Sequence, residues 1–157
     1  MEKQPEKIAS FSVDHDIISE GIYISRKDGD ITTYDMRTRR PNMGDYMDNL
    51  TMHSVEHMFA TYIRNSSIGS SVIYFGPMGC QTGFYLLVRD AENKEVLKTV
   101  LGVLEKIINH TGDMPGAARE ECGNFLNLSV DAAKRECKRY LDVLTKKDCD
   151  FKYKESK

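Results

Sequence analysis

The chain has 157 residues, of which 40% are hydrophobic and 29% charged, and its formal net charge is −2. Those values fit one soluble domain with an ordinary core, and the near-neutral balance excludes the basic footprint of a nucleic-acid or anionic-membrane binder. The longest apolar runs, such as Phe84-Tyr-Leu-Leu-Val88, are far too short to span a bilayer.

The first seven residues are polar, with no apolar core of a signal peptide, and read as a loose tail of a cytoplasmic protein. Ile8 to Val13 reads as a short strand or extended arm. Gly21 to Ser25 alternates apolar and polar residues and predicts a strand. Lys27-Asp-Gly-Asp30 is a turn signal, and Ile31 to Arg37, rich in β-formers, is the second strand of that hairpin. A loop with Pro41, Asn42 and Gly44 leads to a helix starting near Asp48 or Asn49 and ending around Asn65, with Met52, Val55, Phe59, Tyr62 and Ile63 at helical spacing. Ser71 to Phe75 and Thr82 to Val88 predict two further strands, joined by the turn Gly76-Pro-Met-Gly79. Glu95 to His110 carries a clear apolar stripe of helical period. Residues 117–128 are irregular. Ser129 is the expected N-cap of a last helix over 130–146, with Ala133, Cys137, Tyr140, Leu141 and Leu144 on one face. The charged residues 147–157 read as a second loose tail. The order predicts a single α+β domain over 1–157, an antiparallel β-sheet with helices packed on one face.

The stretch richest in chemistry is His53-Ser-Val-Glu56-His57. On a helix the two histidines, at i and i+4, lie about 40° apart, so two imidazoles share one face and can share one metal ion. Glu56 lies to the other side of His53, placed to act as ligand or base. His-x-x-Glu-His is the inverted form of the zinc-protease helix motif, although a pair of histidines at this spacing also occurs by chance on exposed helices. A catalytic site wants a third ligand and an open position. The candidates are Cys122, Cys137, Cys149, His15, His110 or an acid. Cys137 lies on an apolar helix face, where a small core residue is the simpler reading. Cys149 sits in the charged tail, and Cys122 in an irregular segment before Gly123. Cys80 follows Gly79 at a strand junction, where a side chain can protrude into a cleft and a nearby positive charge would ease its ionisation. The four cysteines have no close paired spacing and are read as free thiols, ligands or nucleophiles of a reducing compartment.

Several separated stretches together resemble the S-ribosylhomocysteine lyase family, which makes the precursor of autoinducer-2: Ser10-Phe-Ser-Val-Asp-His15, Tyr34-Asp-Met-Arg37 with Pro41-Asn42, His53-Ser-Val-Glu-His57, Gly76-Pro-Met-Gly-Cys-Gln-Thr-Gly-Phe-Tyr85 and Glu121-Cys-Gly123. The resemblance runs from about Ile8 to about Tyr140. It implies that His53, His57 and Cys122 are the metal ligands, with water or substrate in the fourth place. The implied metal is Fe²⁺, one per subunit, with Zn²⁺ or Co²⁺ able to replace it. Glu56 and Cys80 are implied as the acid/base pair, and Ser10, His15 and Arg37 as residues lining the substrate site. It further implies a homodimer with two interfacial active sites. Two positions depart from the family pattern. Tyr74 stands where some members carry an Asp six residues before the catalytic Cys, and Gly76 replaces the Ser common before Pro-Met-Gly.

The implied reaction cleaves a thioether at C5 of a ribose whose latent carbonyl is at C1, giving homocysteine and 4,5-dihydroxy-2,3-pentanedione. β-Elimination of a thiolate needs a carbonyl at C3, so the carbonyl must migrate from C1 to C2 to C3, and each migration is a proton removal and a proton return. That chemistry asks for positioned acid/base groups and for a Lewis acid at the sugar oxygens. Two rivals share the helix motif. A peptidase of the inverted zinc-helix type needs a larger fold and usually a downstream Glu as third ligand. A structural zinc site needs four protein ligands.

Overall fold

The computed structural model describes residues 2–154. Among them, one sheet has the order β1-β2-β4-β3, all neighbours antiparallel, from β1 (Gly21–Asp28), β2 (Ile31–Arg37), β3 (Val72–Pro77) and β4 (Gly83–Arg89). Three long helices, α2 (Asn49–Arg64), α3 (Asn93–Ile108) and α4 (Val130–Thr145), pack on one face. The expected α+β arrangement is what the chain forms. No described helix is long and apolar enough to cross a membrane.

The pleat sorts the strands by residue parity. Tyr34, Met36, Phe84, Leu86, Val88 and Phe75 point to the helices and are buried. Phe59 of α2 stacks on Phe75, centroids 4.4 Å apart, and Phe75 on Phe84 at 5.0 Å. Cys137 lies in this core beside Ala133, Tyr140 and Leu144, as its place on the apolar face of α4 predicts. The opposite face carries Tyr23, Asp35, Tyr85 and Gly76 in one cross-strand row, and Gly21, Arg37 and Gly83 in another. Two glycines flanking Arg37 leave its long side chain free to lie along that face.

The last helix takes its expected cap, and α2 starts where expected. Asp48 accepts from Thr51 N at 2.8 Å to start α2, and Ser129 accepts from Ala132 N at 3.1 Å to start α4.

Three segments differ from expectation. Gly76-Pro77 is not turn but the end of β3, paired with Tyr85 and Phe84, so the turn runs from Met78 to Thr82. Ile8 to Val13 is not a strand; Ala9–Ser12 forms a single helical turn, α1, because Phe11 N and the Ser12 hydroxyl both bond back to Ile8 O. It lies over the sheet face opposite the long helices, where Ile8 and Ser10 border Tyr74, Tyr85 and Leu87. The tail after Lys146 is also not loose throughout. Phe151 is buried, pairs in parallel with Tyr23 and accepts at its carbonyl from Ile24 N at 2.8 Å. Lys147 donates to the Glu20 carbonyl and to Ser19 Oγ, and the Tyr153 ring stacks on Tyr23, centroids 4.9 Å apart. The surrounding charges mask these two aromatic anchors in the sequence. The N-terminal residues 2–7 are exposed and lie outside any regular element.

Candidate metal centre and active site

Helix α2 buries Met52, Val55, Met58, Phe59 and Ile63, and this turns His53 and His57 to the border of the core, where both are half-buried. Their rings meet edge to face with centroids 4.7 Å apart. Each ring is tied through Nδ1 to a main-chain carbonyl, His53 to Asn127 O at 2.8 Å and His57 to Pro115 O at 2.9 Å. A carbonyl can only accept, so Nδ1 carries the proton in both rings. Each Nε2 therefore presents its lone pair, the form in which neutral imidazole binds a metal.

Both carbonyls come from the connection between α3 and α4, which runs without a regular element from Asn109 to Ser129. A structureless connection of that length inside a compact domain is characteristically functional. It is pinned to α2 by Ser129 N on the buried Ser54 hydroxyl, 2.8 Å, and by the Asn127 amide on Asn49 Oδ1, 2.6 Å. The same loop delivers Cys122, whose Sγ lies 3.3 Å from His53 Nε2 and accepts from Asn124 N at 3.4 Å. Gly116 in this loop has φ of 69°, and a Cβ there would meet His57 Nδ1 at 3.1 Å.

The ligand atoms of His53, His57 and Cys122 all lie within 4.8 Å of one another. Ligands about 2.0–2.3 Å from one ion are separated by roughly 3–4 Å, so a small contraction closes the set on a divalent metal. The donors, two nitrogens and one sulfur, fit such an ion. Among the described residues the set numbers three, the count of a catalytic rather than a closed structural site. Glu56 lies on the same helix, half-buried.

A second group forms at the other side of the sheet. The β3–β4 connection turns tightly through Met78 N to Gly83 O at 2.8 Å and Gln81 N to Met78 O at 3.1 Å, which leaves Cys80 exposed at its tip. The Cys80 Sγ is 2.9 Å from Thr82 Oγ1 and 4.0 Å from Arg37 Nη1. Arg37 Nη1 donates to Thr82 Oγ1 at 2.8 Å, so the threonine proton is free to point to the sulfur. The rest of the guanidinium forks onto Asp35, Nε to Oδ1 at 3.1 Å and Nη2 to Oδ2 at 2.7 Å. Burial alone would lower the Arg37 guanidinium; the facing Asp35 charge and this fork outweigh it and hold Arg37 above its ordinary value. A pocket of about 320 Å³ opens here, with Ser10, His15, Arg37, Cys80 and Tyr85 on its wall. His15 Nδ1 bonds Val13 O at 2.8 Å, which by the same logic leaves its Nε2 free. Burial, then the Asp35 charge, raises the Tyr85 hydroxyl above its ordinary value.

The residues singled out from sequence thus fall into two groups of one chain. His53, His57 and Cys122 converge, with Glu56 on the same helix. Ser10, His15, Arg37 and Cys80 converge elsewhere. No hydrogen bond among the described residues joins the two. Asp35, Thr82, Tyr85 and Tyr153 escaped the sequence reading. The alternation that puts Asp35 on the face of Arg37 was a usable signal; nothing local points from Tyr153 to Asp35.

The sequence model of the family described as S-ribosylhomocysteinase (LuxS) matches residues 8–150. The chain belongs to this family. It is 40% identical over 155 residues to the S-ribosylhomocysteine lyase of Borreliella burgdorferi (strain ZS7), covering 94% of this chain and 99% of that protein. It is 40% identical over 146 residues to the S-ribosylhomocysteine lyase of Clostridium beijerinckii, with 88% and 92% covered. The corresponding protein of Finegoldia magna is 41% identical over 143 residues, with 88% and 91% covered. Membership of the S-ribosylhomocysteinase family also meets the expected enzyme class, a carbon–sulfur lyase.

Proposed function

We propose that this chain cleaves the thioether of S-ribosylhomocysteine to homocysteine and 4,5-dihydroxy-2,3-pentanedione, by two carbonyl migrations and a β-elimination. The observation that carries the reading is the His53–His57–Cys122 set, with both Nε2 lone pairs directed by loop carbonyls, in a member of this family. His53, His57 and Cys122 hold the metal, Fe²⁺ with Zn²⁺ or Co²⁺ as substitutes, one per subunit. When bound, that ion supplies Lewis acidity at the sugar oxygens.

The chain's own groups move the protons. Glu56 is half-buried and makes no hydrogen bond or ion pair within the described residues, so its oxygens are available to substrate. Cys80 takes and returns protons on the other side of the sugar, with the Arg37 cation and the Thr82 hydroxyl supporting its thiolate. Loss of a proton from C4 then expels homocysteine as its thiolate from C5. Ser10, His15 and Arg37 hold the substrate on the Cys80 side.

Two groups that form apart in one chain support a homodimer in which the metal set of one subunit and the Cys80 pocket of its partner build each site at the interface. The setting is the cytoplasm, where homocysteine returns to the methyl cycle and 4,5-dihydroxy-2,3-pentanedione is the precursor of autoinducer-2, a quorum-sensing signal.

The test is anaerobic thiol release from S-ribosylhomocysteine by Fe²⁺-loaded protein. Stoichiometric homocysteine with 4,5-dihydroxy-2,3-pentanedione is the expected result. A metal-replete dimer that frees no thiol overturns the reading.

A further inference from the structure

We propose that Tyr153, in the C-terminal segment, is a positioning residue for Cys80, acting through Asp35 and Arg37; this rests on the reading of Cys80 as a proton carrier. The Tyr153 hydroxyl donates to Asp35 Oδ2 at 2.7 Å, the same oxygen that accepts Arg37 Nη2 at 2.7 Å. Arg37 Nη1 is the atom that bonds Thr82 and faces the Cys80 sulfur. Four side chains therefore stand in line from the tail to the thiol. Asp35 and Arg37 are only 1% and 2% exposed, so a change at one end of the line passes to the other.

The direction follows from charge. With Tyr153 donating, part of the Asp35 charge is taken up by the phenol, and Arg37 keeps positive character to offer Thr82 and Cys80. Without that donor, Asp35 draws more strongly on Arg37, and Nη1 is pulled from Thr82 toward the carboxylate. Other polar groups face Cys80 as well: Thr82 and Tyr85 of the β3–β4 hairpin, and His15 and Ser10 from the segment around α1. Of these, only the Arg37 side is tied to the tail. The tail itself is held in place by means other than Tyr153 Oη, through Phe151 in the core and the ring stack on Tyr23. Removing the hydroxyl alone therefore leaves the fold in place.

The experiment compares parent and Tyr153→Phe protein, metal-loaded so that Cys122 is engaged. It measures the rate of Cys80 carboxamidomethylation by iodoacetamide at a fixed neutral pH, with the site read by peptide mapping. Cys137 and Cys149 compete poorly, since burial raises both thiols. A hydrogen bond to a charged group is a strong one, and its partial transmission predicts about a 3- to 10-fold slower reaction. Metal content stays unchanged, the melting temperature drops by only a few degrees for one lost hydrogen bond, and in turnover kcat falls by more than KM changes. Tyr153→Ala repeats the slowing without the ring, and Tyr153→Phe adds nothing in an Asp35→Asn background. Equal alkylation rates in parent and Tyr153→Phe overturn the proposal, as does an undiminished effect of Tyr153→Phe on top of Asp35→Asn. The alkylation needs no substrate, so absent thiol release would tell against the lyase reading and leave this result standing on its own.

Discussion

The ring of Tyr74 lies over the backbone of Gly76: a Cβ built on Gly76 would fall 2.7 Å from Tyr74 Cε1 and closer to the hydroxyl. These are the two positions where the chain departs from the family pattern, and the structure makes them one change. The aromatic ring fills the space that a serine side chain would take, so Gly at 76 lets Tyr74 keep this rotamer. Gly76→Ser should force the ring away, at a cost near 1 kcal/mol because an exposed tyrosine can swing aside. Tyr74→Asp together with Gly76→Ser should recover most of that loss. Urea midpoints of the two singles and the double give the coupling; strict additivity would show the two positions to be independent.

Gly116 buttresses the metal set. Its positive φ and the 3.1 Å approach of a Cβ to His57 Nδ1 mean that Gly116→Ala strains the loop and presses on the bond from His57 to Pro115 O. Changes in such supporting contacts typically weaken metal affinity about 10- to 100-fold. Competition with a chelator reads this directly, and an unchanged Kd would reject the supporting role.

Metal retention and turnover should separate by residue. Cys80→Ala and Glu56→Gln are expected to bind metal like the parent and to release no thiol from S-ribosylhomocysteine. His57→Ala and Cys122→Ala are expected to lose the metal itself. Elemental analysis beside the thiol assay checks both; a metal-replete, active His57→Ala protein would remove His57 from the ligand set.

Alkaline pH should unfold the protein through its buried phenols. Tyr34 is wholly buried and donates to Asn93 Oδ1 at 2.7 Å, and burial, with a smaller push from Glu92, raises it from 10.0 to about 12. Below pH 10 folded and unfolded chains hold the same proton. Between pH 10 and about 12 the unfolded chain releases it first, so Tyr34 contributes stability that is lost as pH climbs through that window. Urea midpoints should begin to fall near pH 9, where the unfolded Cys137 and Cys149 thiols ionise, and fall further beyond 10, and Tyr34→Phe should soften the later fall. Tyr140 and Tyr153, also raised by burial, keep it from vanishing.

The fold was legible where a periodic pattern met a cap. The helices start at Asp48 and Ser129 as expected, and two strands do lie between Ser71 and Arg89, but the turn between them falls after Pro77, because Gly76 and Pro77 still pair with Tyr85 and Phe84. The metal set was half legible, since i, i+4 spacing pairs His53 with His57 on any helix. Cys122 was one of several candidates, because an irregular loop has no period from which to infer where a side chain ends up. Ile8 to Val13 misled because six residues carry too short a pattern to separate strand from turn, and two bonds back to Ile8 O were enough to coil it. The tail misled because charge density is an average, whereas Phe151 and Tyr153 act singly.

The pairing of Phe151 with Tyr23 orders events in time. The first strand of the sheet lacks its edge partner, and Asp35 its phenol, until residue 153 has been synthesised and has cleared the ribosome exit tunnel. Domains otherwise fold from the N-terminus as they emerge. Here the β1–β2 hairpin can form from local contacts alone, while the surroundings of Asp35 on β2 are completed only by a side chain 118 positions later in the chain.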